Sequence, residues 1–151
     1  MAHDEPPRPT VAQFLAQCRE SFAFLAESHF TEAPIPQFPP TNPVQCRFSN
    51  GTLSVVVEGI NWGLNTECYL EDPTGVKAPL FLFVPKDKRE PQFHRGHTEP
   101  NQCFQVRVAA QQVREHCADL LKGDMARFLD RAAYWKRVSG HDRSYQKRVL
   151  P

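Results

Sequence analysis

No apolar run in this 151-residue chain approaches the roughly 18 to 20 residues of a membrane helix, so a helical membrane span is set aside. Neither charge is in excess. Eighteen lysines and arginines against 17 aspartates and glutamates leave a formal charge of +1, which argues against a strongly basic nucleic-acid coat or an acidic solvating tail. There is no C-x-x-C pair among the five cysteines (18, 46, 68, 103 and 117), and most sit in apolar segments, so they read as reduced, mainly buried thiols. The chain has no G-x-S-x-G, no Walker A loop and no G-x-G-x-x-G, so hydrolase, NTPase and dinucleotide readings lack their usual anchors. No internal repeat appears. The first ten residues lack the apolar core of a signal peptide, and a soluble, cytoplasmic protein is the expectation.

What is present is enough for one globular core, and 14 prolines punctuate it. Residues 1–9 form an expected disordered lead-in, residues 10–138 a single domain, and residues 139–151 a loose basic tail. Thr10 and Gln13 have capping-box spacing, and Val11, Phe14, Leu15, Cys18, Phe22 and Leu25 then mark one helical stripe to about Phe30. Five prolines between 34 and 43 allow neither a helix nor a central strand, which leaves an extended connector that Ile35 and Phe38 could pin down.

Val44 to Glu58 reads as a hairpin about Asn50-Gly51. With these two as the loop, Phe48 faces Leu53, Cys46 faces Val55 and Val44 faces Val57 on one side, while Gln45, Arg47 and Ser54 make the other side wetter. Thr66 to Glu71 is a third strand and the proline-bracketed apolar run Pro79 to Pro85 a fourth. Lys86 to Gln102 is a polar segment without an assignment. A second helix runs through Val106, Ala109, Ala110, Val113, Leu120 and Leu121 and stops at Gly123. Asp124 caps a third, with Met125, Phe128, Leu129, Ala132 and Trp135 facing inward. The expected fold is therefore α+β: an N-terminal helix, an antiparallel meander of about four strands, and two C-terminal helices packed on one face of the sheet.

The phrase CADLLKGDMARFL, Cys117 to Leu129, together with this order of elements, resembles small bacterial α+β proteins, mostly of unknown function, whose closing helices carry an L-L-x-G-D-x-x-x-F pattern. The matching residues are Leu120, Leu121, Gly123, Asp124 and Phe128. Some such proteins look like immunity or antitoxin-type binding proteins of bacterial toxin systems. The resemblance implies a non-enzymatic protein-binding role and carries no active site with it. The same five residues also have a structural reading as helix packing, helix stop and next-helix cap.

Trp62 with Asn61, and His94 with Arg95, mark the two loops where a protein partner is first expected. Nucleic acid is the alternative partner. The last 30 residues hold eight basic and three acidic groups, and Arg127, Arg131, Arg137 and Arg143, with Tyr134, Trp135 and Tyr145 among them, could grip phosphates. A further alternative is a small metal- or cysteine-dependent enzyme around His94, His97 and Cys103, with His116 and Cys117 beyond, although this spacing is no recognised zinc motif. No cofactor, resident metal or catalytic residue is assigned.

Overall fold

Thr10 and Gln13 close the expected capping box: the Thr10 N–H donates to Gln13 Oε1 at 2.8 Å and the Gln13 N–H donates to Thr10 Oγ1 at 3.1 Å. The computed structural model describes residues 8–37, 41–60, 63–89 and 100–149, with side chains described to residue 139. The box opens α1 (Val11–Ser21), which buries Phe14 and Cys18. The expected helix to Phe30 is not continuous. It breaks at Phe22 into a 3-10 turn (Ala23–Ser28) ended by His29 in the left-handed region, and this lets Phe22, Leu25 and Phe30 all reach the core.

Five antiparallel strands follow in sequential order: β1 (Thr31–Ala33), β2 (Gln45–Ser49), β3 (Ser54–Ile60), β4 (Asn65–Glu71) and β5 (Lys77–Pro79). The expected four strands become five because the short, exposed edge strand β1 pairs with β2. The run read as a fourth strand divides. Lys77–Pro79 pairs with β4, and Leu80–Phe83 is a 3-10 turn that buries Leu80 and Phe83 three residues apart and leaves Phe81 at the surface. A second 3-10 turn, Lys86–Lys88, follows it.

The β2–β3 register is also moved. Phe48 pairs with Val55 and Cys46 with Val57, two residues on from the expected pairing. The Asn50 side chain causes the shift by accepting the N–H groups of Thr52 and Leu53, at 3.0 and 2.9 Å, so the loop spans four residues with Gly51 at φ 88°. A two-residue shift conserves the face. Cys46, Phe48, Val55, Val57, Cys68, Leu70 and Ala78 accordingly join one core.

On the second sheet face, Gln45 and Arg47 are polar as expected, but they are buried rather than wet. Arg47 Nη1 donates to Gln45 Oε1, and Arg47 Nη2 meets Glu71 Oε1 at 2.6 Å beside fully buried Val56. The Tyr69 hydroxyl donates to Glu58 at 2.8 Å, and burial followed by that contact holds its pKa well above the usual tyrosine value.

The helical layer is completed by α2 (Asn101–His116), α3 (Ala118–Leu121) and α4 (Ala126–Val149). The start of α2 is latched to the sheet by amides. Gln102 Nε2 donates to the Asn65 carbonyl at 2.8 Å, Asn101 Nδ2 to that of Leu64 at 3.0 Å, and Gln105 Oε1 accepts the Thr66 N–H. Helix α2 packs on α1 and β4, and α4 lies against β5. The turn between α3 and α4 bears out the structural reading of Leu120 to Phe128. Gly123, at φ 98°, donates to the Leu120 carbonyl and Asp124 N–H to that of Asp119, the paired bonds of a Schellman stop. Asp124 Oδ1 then accepts the Ala126 N–H at 3.2 Å, and Phe128 is fully buried. Leu129, expected inward, is 61% exposed because Phe128 and Ala132 define the inward stripe and Leu129 falls outside it. The α4 backbone continues to Val149 through the segment read as a loose tail. Among the described residues no helix is long and apolar enough to cross a membrane.

Candidate functional site

The five cysteines are all buried without a disulfide. Cys18, hydrogen-bonded to Cys46 and desolvated, has its thiol pKa pushed well up. Burial also raises Cys68, and takes Cys117 to about 12. Such thiols stay protonated near neutrality and are poor nucleophiles. Cys103, the thiol singled out for reactivity, is buried on the first turn of α2. His116 is held at the end of that helix, with Nε2 3.8 Å from Glu115. Among the described residues no group of three His, Cys, Asp or Glu side chains could hold a metal ion. Asn61, Trp62, His94, Arg95 and His97 lie outside the described residues, as does the Arg143 side chain.

Two of the three remaining basic residues proposed for phosphate contact are engaged. Arg127 Nη2 contacts the His116 carbonyl and meets Asp119 Oδ1 at 2.8 Å, its guanidinium stacks 5.5 Å over Phe83, and its buried Nε has no partner among the described residues. Arg127 therefore ties α4 to α3 and to the 80–83 turn. Arg131 Nη1 lies 2.9 Å from Asp130, an exposed neighbouring pair of the kind that contributes little and exchanges readily. Arg137 is exposed on α4.

Arg127, Arg131 and Tyr134, spaced by four and three residues, share one face of α4. That face forms one wall of a groove of about 400 Å³ whose other wall is Leu82, Phe83, Val84, Pro85, Lys86 and Arg89. The sequence expectation reached Arg127 and Arg131 but missed Lys86 and Arg89, which belong to a polar segment without periodicity. The groove has four cations on its walls and no carboxylate among its lining residues. Lys86 has no carboxylate partner among the described residues. Arg89 donates through Nε to the Val84 carbonyl at 3.2 Å and stacks 5.3 Å over the Phe81 ring, two contacts that orient its guanidinium. Phe81 is itself braced edge-on by Trp135 at 5.9 Å, while Tyr134 remains 45% exposed. A basic rim over an apolar floor is the result.

Another concavity, about 330 Å³ between α1 and α2, mixes Glu20 with Arg107 and Arg114, and two more carry less charge. The larger, about 510 Å³ beside Thr10, Phe14 and Gly59, has no charged side chain on its described walls. The smaller, about 250 Å³ between β4 and α2, has one, Glu67, whose carboxyl is raised by burial and then by Glu58 across the strand pair. Its amide Gln105 is already committed to the Thr66 N–H. Comparison of the chain with protein-family models, with curated proteins and with solved structures found no match.

Proposed function

We propose that this chain is a non-enzymatic protein of bacterial origin that works by binding another protein, in the immunity or antitoxin type of role that its closing-helix resemblance implies. The supporting observation is the groove between residues 82–89 and α4: exposed apolar and aromatic groups rimmed by cations is the composition of a protein-contact surface. Tyr134 on its wall is 45% exposed, and Phe81, which stacks on the groove residue Arg89, is 43% exposed. The burial of all five thiols, with Cys18, Cys68 and Cys117 held protonated and only Cys46 drawn downward by its contact with Cys18, favours this reading over cysteine chemistry. Arg127, held by Asp119 and the His116 carbonyl, is not open to the backbone of a nucleic acid, and the apolar groups between the remaining cations favour a protein segment over a phosphate grip.

Affinity purification of the tagged full chain from its native host tests the reading. One protein is expected to co-purify at near-equal molar amount, and to be lost when Lys86, Arg89 and Arg131 are all replaced by glutamate. Recovery of the chain alone, under conditions where it is folded and abundant, contradicts it.

A further inference from the structure

We infer that the groove between the 82–89 segment and α4 takes an extended, acidic protein segment carrying an apolar side chain. This rests on the protein-binding reading and names the partner's chemistry. Charge complementarity supplies the first argument, since the walls offer Lys86, Arg89, Arg127 and Arg131 and no carboxylate. The four differ in what they can give a ligand. Arg127 is held by Asp119 and the His116 carbonyl, so it fixes the floor rather than the guest. Lys86 offers its ammonium, Arg89 a guanidinium already oriented by Phe81, and Arg131 a guanidinium that only its exposed neighbour Asp130 contests.

Dimensions and the floor supply the second argument. From Arg127 to Tyr134 the helix rises about 10 Å, the length of about three extended residues. Alternate side chains of such a segment face the same way, so acidic groups at every second position can meet the basic rim. An apolar side chain among them covers Leu82, Pro85 and the Tyr134 ring, area that a polyanion without apolar groups would leave wet. An oligonucleotide satisfies the charge but presents no small apolar side chain to this floor.

The test is fluorescence anisotropy on the full chain with a short labelled peptide alternating glutamate with leucine and phenylalanine. Three probes run beside it: the same peptide with lysine for glutamate, the same with alanine for leucine and phenylalanine, and an oligothymidylate strand. The acidic apolar peptide is expected to bind at least tenfold more tightly than each of the three and to weaken as salt rises. Lys86→Glu with Arg89→Glu and Arg131→Glu should reduce its affinity at least tenfold, and the milder Lys86→Gln with Arg131→Gln should reduce it about threefold. Arg114→Glu, on the α1 side of α2, should leave it unchanged. The denaturation midpoint of each variant separates lost binding from lost fold.

Oligothymidylate binding more tightly than the peptide overturns the inference, as does peptide affinity indifferent to the charge reversals. So does a chain that self-associates through these residues and ignores the peptide. If the co-purified host protein survives the triple reversal, the groove assignment falls while the protein-binding reading stands. If no host partner exists at all, the reading itself falls.

Discussion

Phe128→Ala is expected to lower the free energy of unfolding by about 3–5 kcal/mol, the cost of deleting a buried ring and leaving a cavity. Phe128 is 0% exposed and enters the same core as Phe14, Phe22, Leu70 and Leu120. It is also the first fully buried side chain after the Gly123 stop, and with Ala132 it carries α4, which lies against β5, into the core. Without it the helix retains its Asp124 cap and the Arg127–Asp119 contact, worth little beside the lost burial. Urea unfolding followed by circular dichroism should show a lower midpoint with the slope conserved. A loss under about 1 kcal/mol would mean that α4 is not packed into this core.

Gly59→Ala should cost about 1–3 kcal/mol, although alanine is otherwise an acceptable strand residue. A Cβ at Gly59 would sit 2.7 Å from Gln102 Nε2 and 2.8 Å from Val44 Cγ1, closer than side chains pack. Neither neighbour yields easily. Gln102 is only 2% exposed and holds the Asn65 carbonyl, while Val44 is stiff and its backbone carbonyl accepts the Gly59 N–H. The substitution therefore presses on the latch that seats α2 on the sheet. In a double-mutant cycle, Gln102→Ala should relieve part of the Gly59→Ala penalty, with a coupling of about 0.5–3 kcal/mol. Strict additivity would show that the two side chains do not meet.

Features fixed by local spacing could be read directly from the sequence. The Thr10 capping box, the Gly123 stop with the Asp124 cap, and the inward placing of Phe14, Cys18 and Phe128 all depend on neighbours within a turn or two. Features set by competing partners could not. The hairpin kept its faces but moved its register, because the Asn50 side chain captured two backbone N–H groups that the turn dipeptide alone does not predict. Leu80–Phe83 is apolar throughout, and such a run does not distinguish a strand from a turn that buries every third residue. β1 has no apolar pattern of its own and exists because β2 supplies its hydrogen bonds.

The groove was half legible for a similar reason. Arg127 and Arg131 stood out as part of a basic end, but the apolar floor and the second basic wall come from the 82–89 segment, which only tertiary packing brings beside α4. The same packing changed the meaning of Arg127. Counted along the chain it is one more cation, whereas in the fold it is an anchor between α3, α4 and Phe83.

Photo-crosslinking in the native host separates the groove from the rest of α4. A photoreactive residue in place of Tyr134 stands at the groove wall, and one in place of Leu129 stands about 140° away around the same helix, also exposed. Crosslinking to one protein is predicted from position 134 and not from 129, with the adduct mapping to a segment rich in aspartate and glutamate that includes an apolar residue. Equal crosslinking from both positions, or an adduct on a basic or uncharged segment, would contradict the assignment of this groove as the partner's seat.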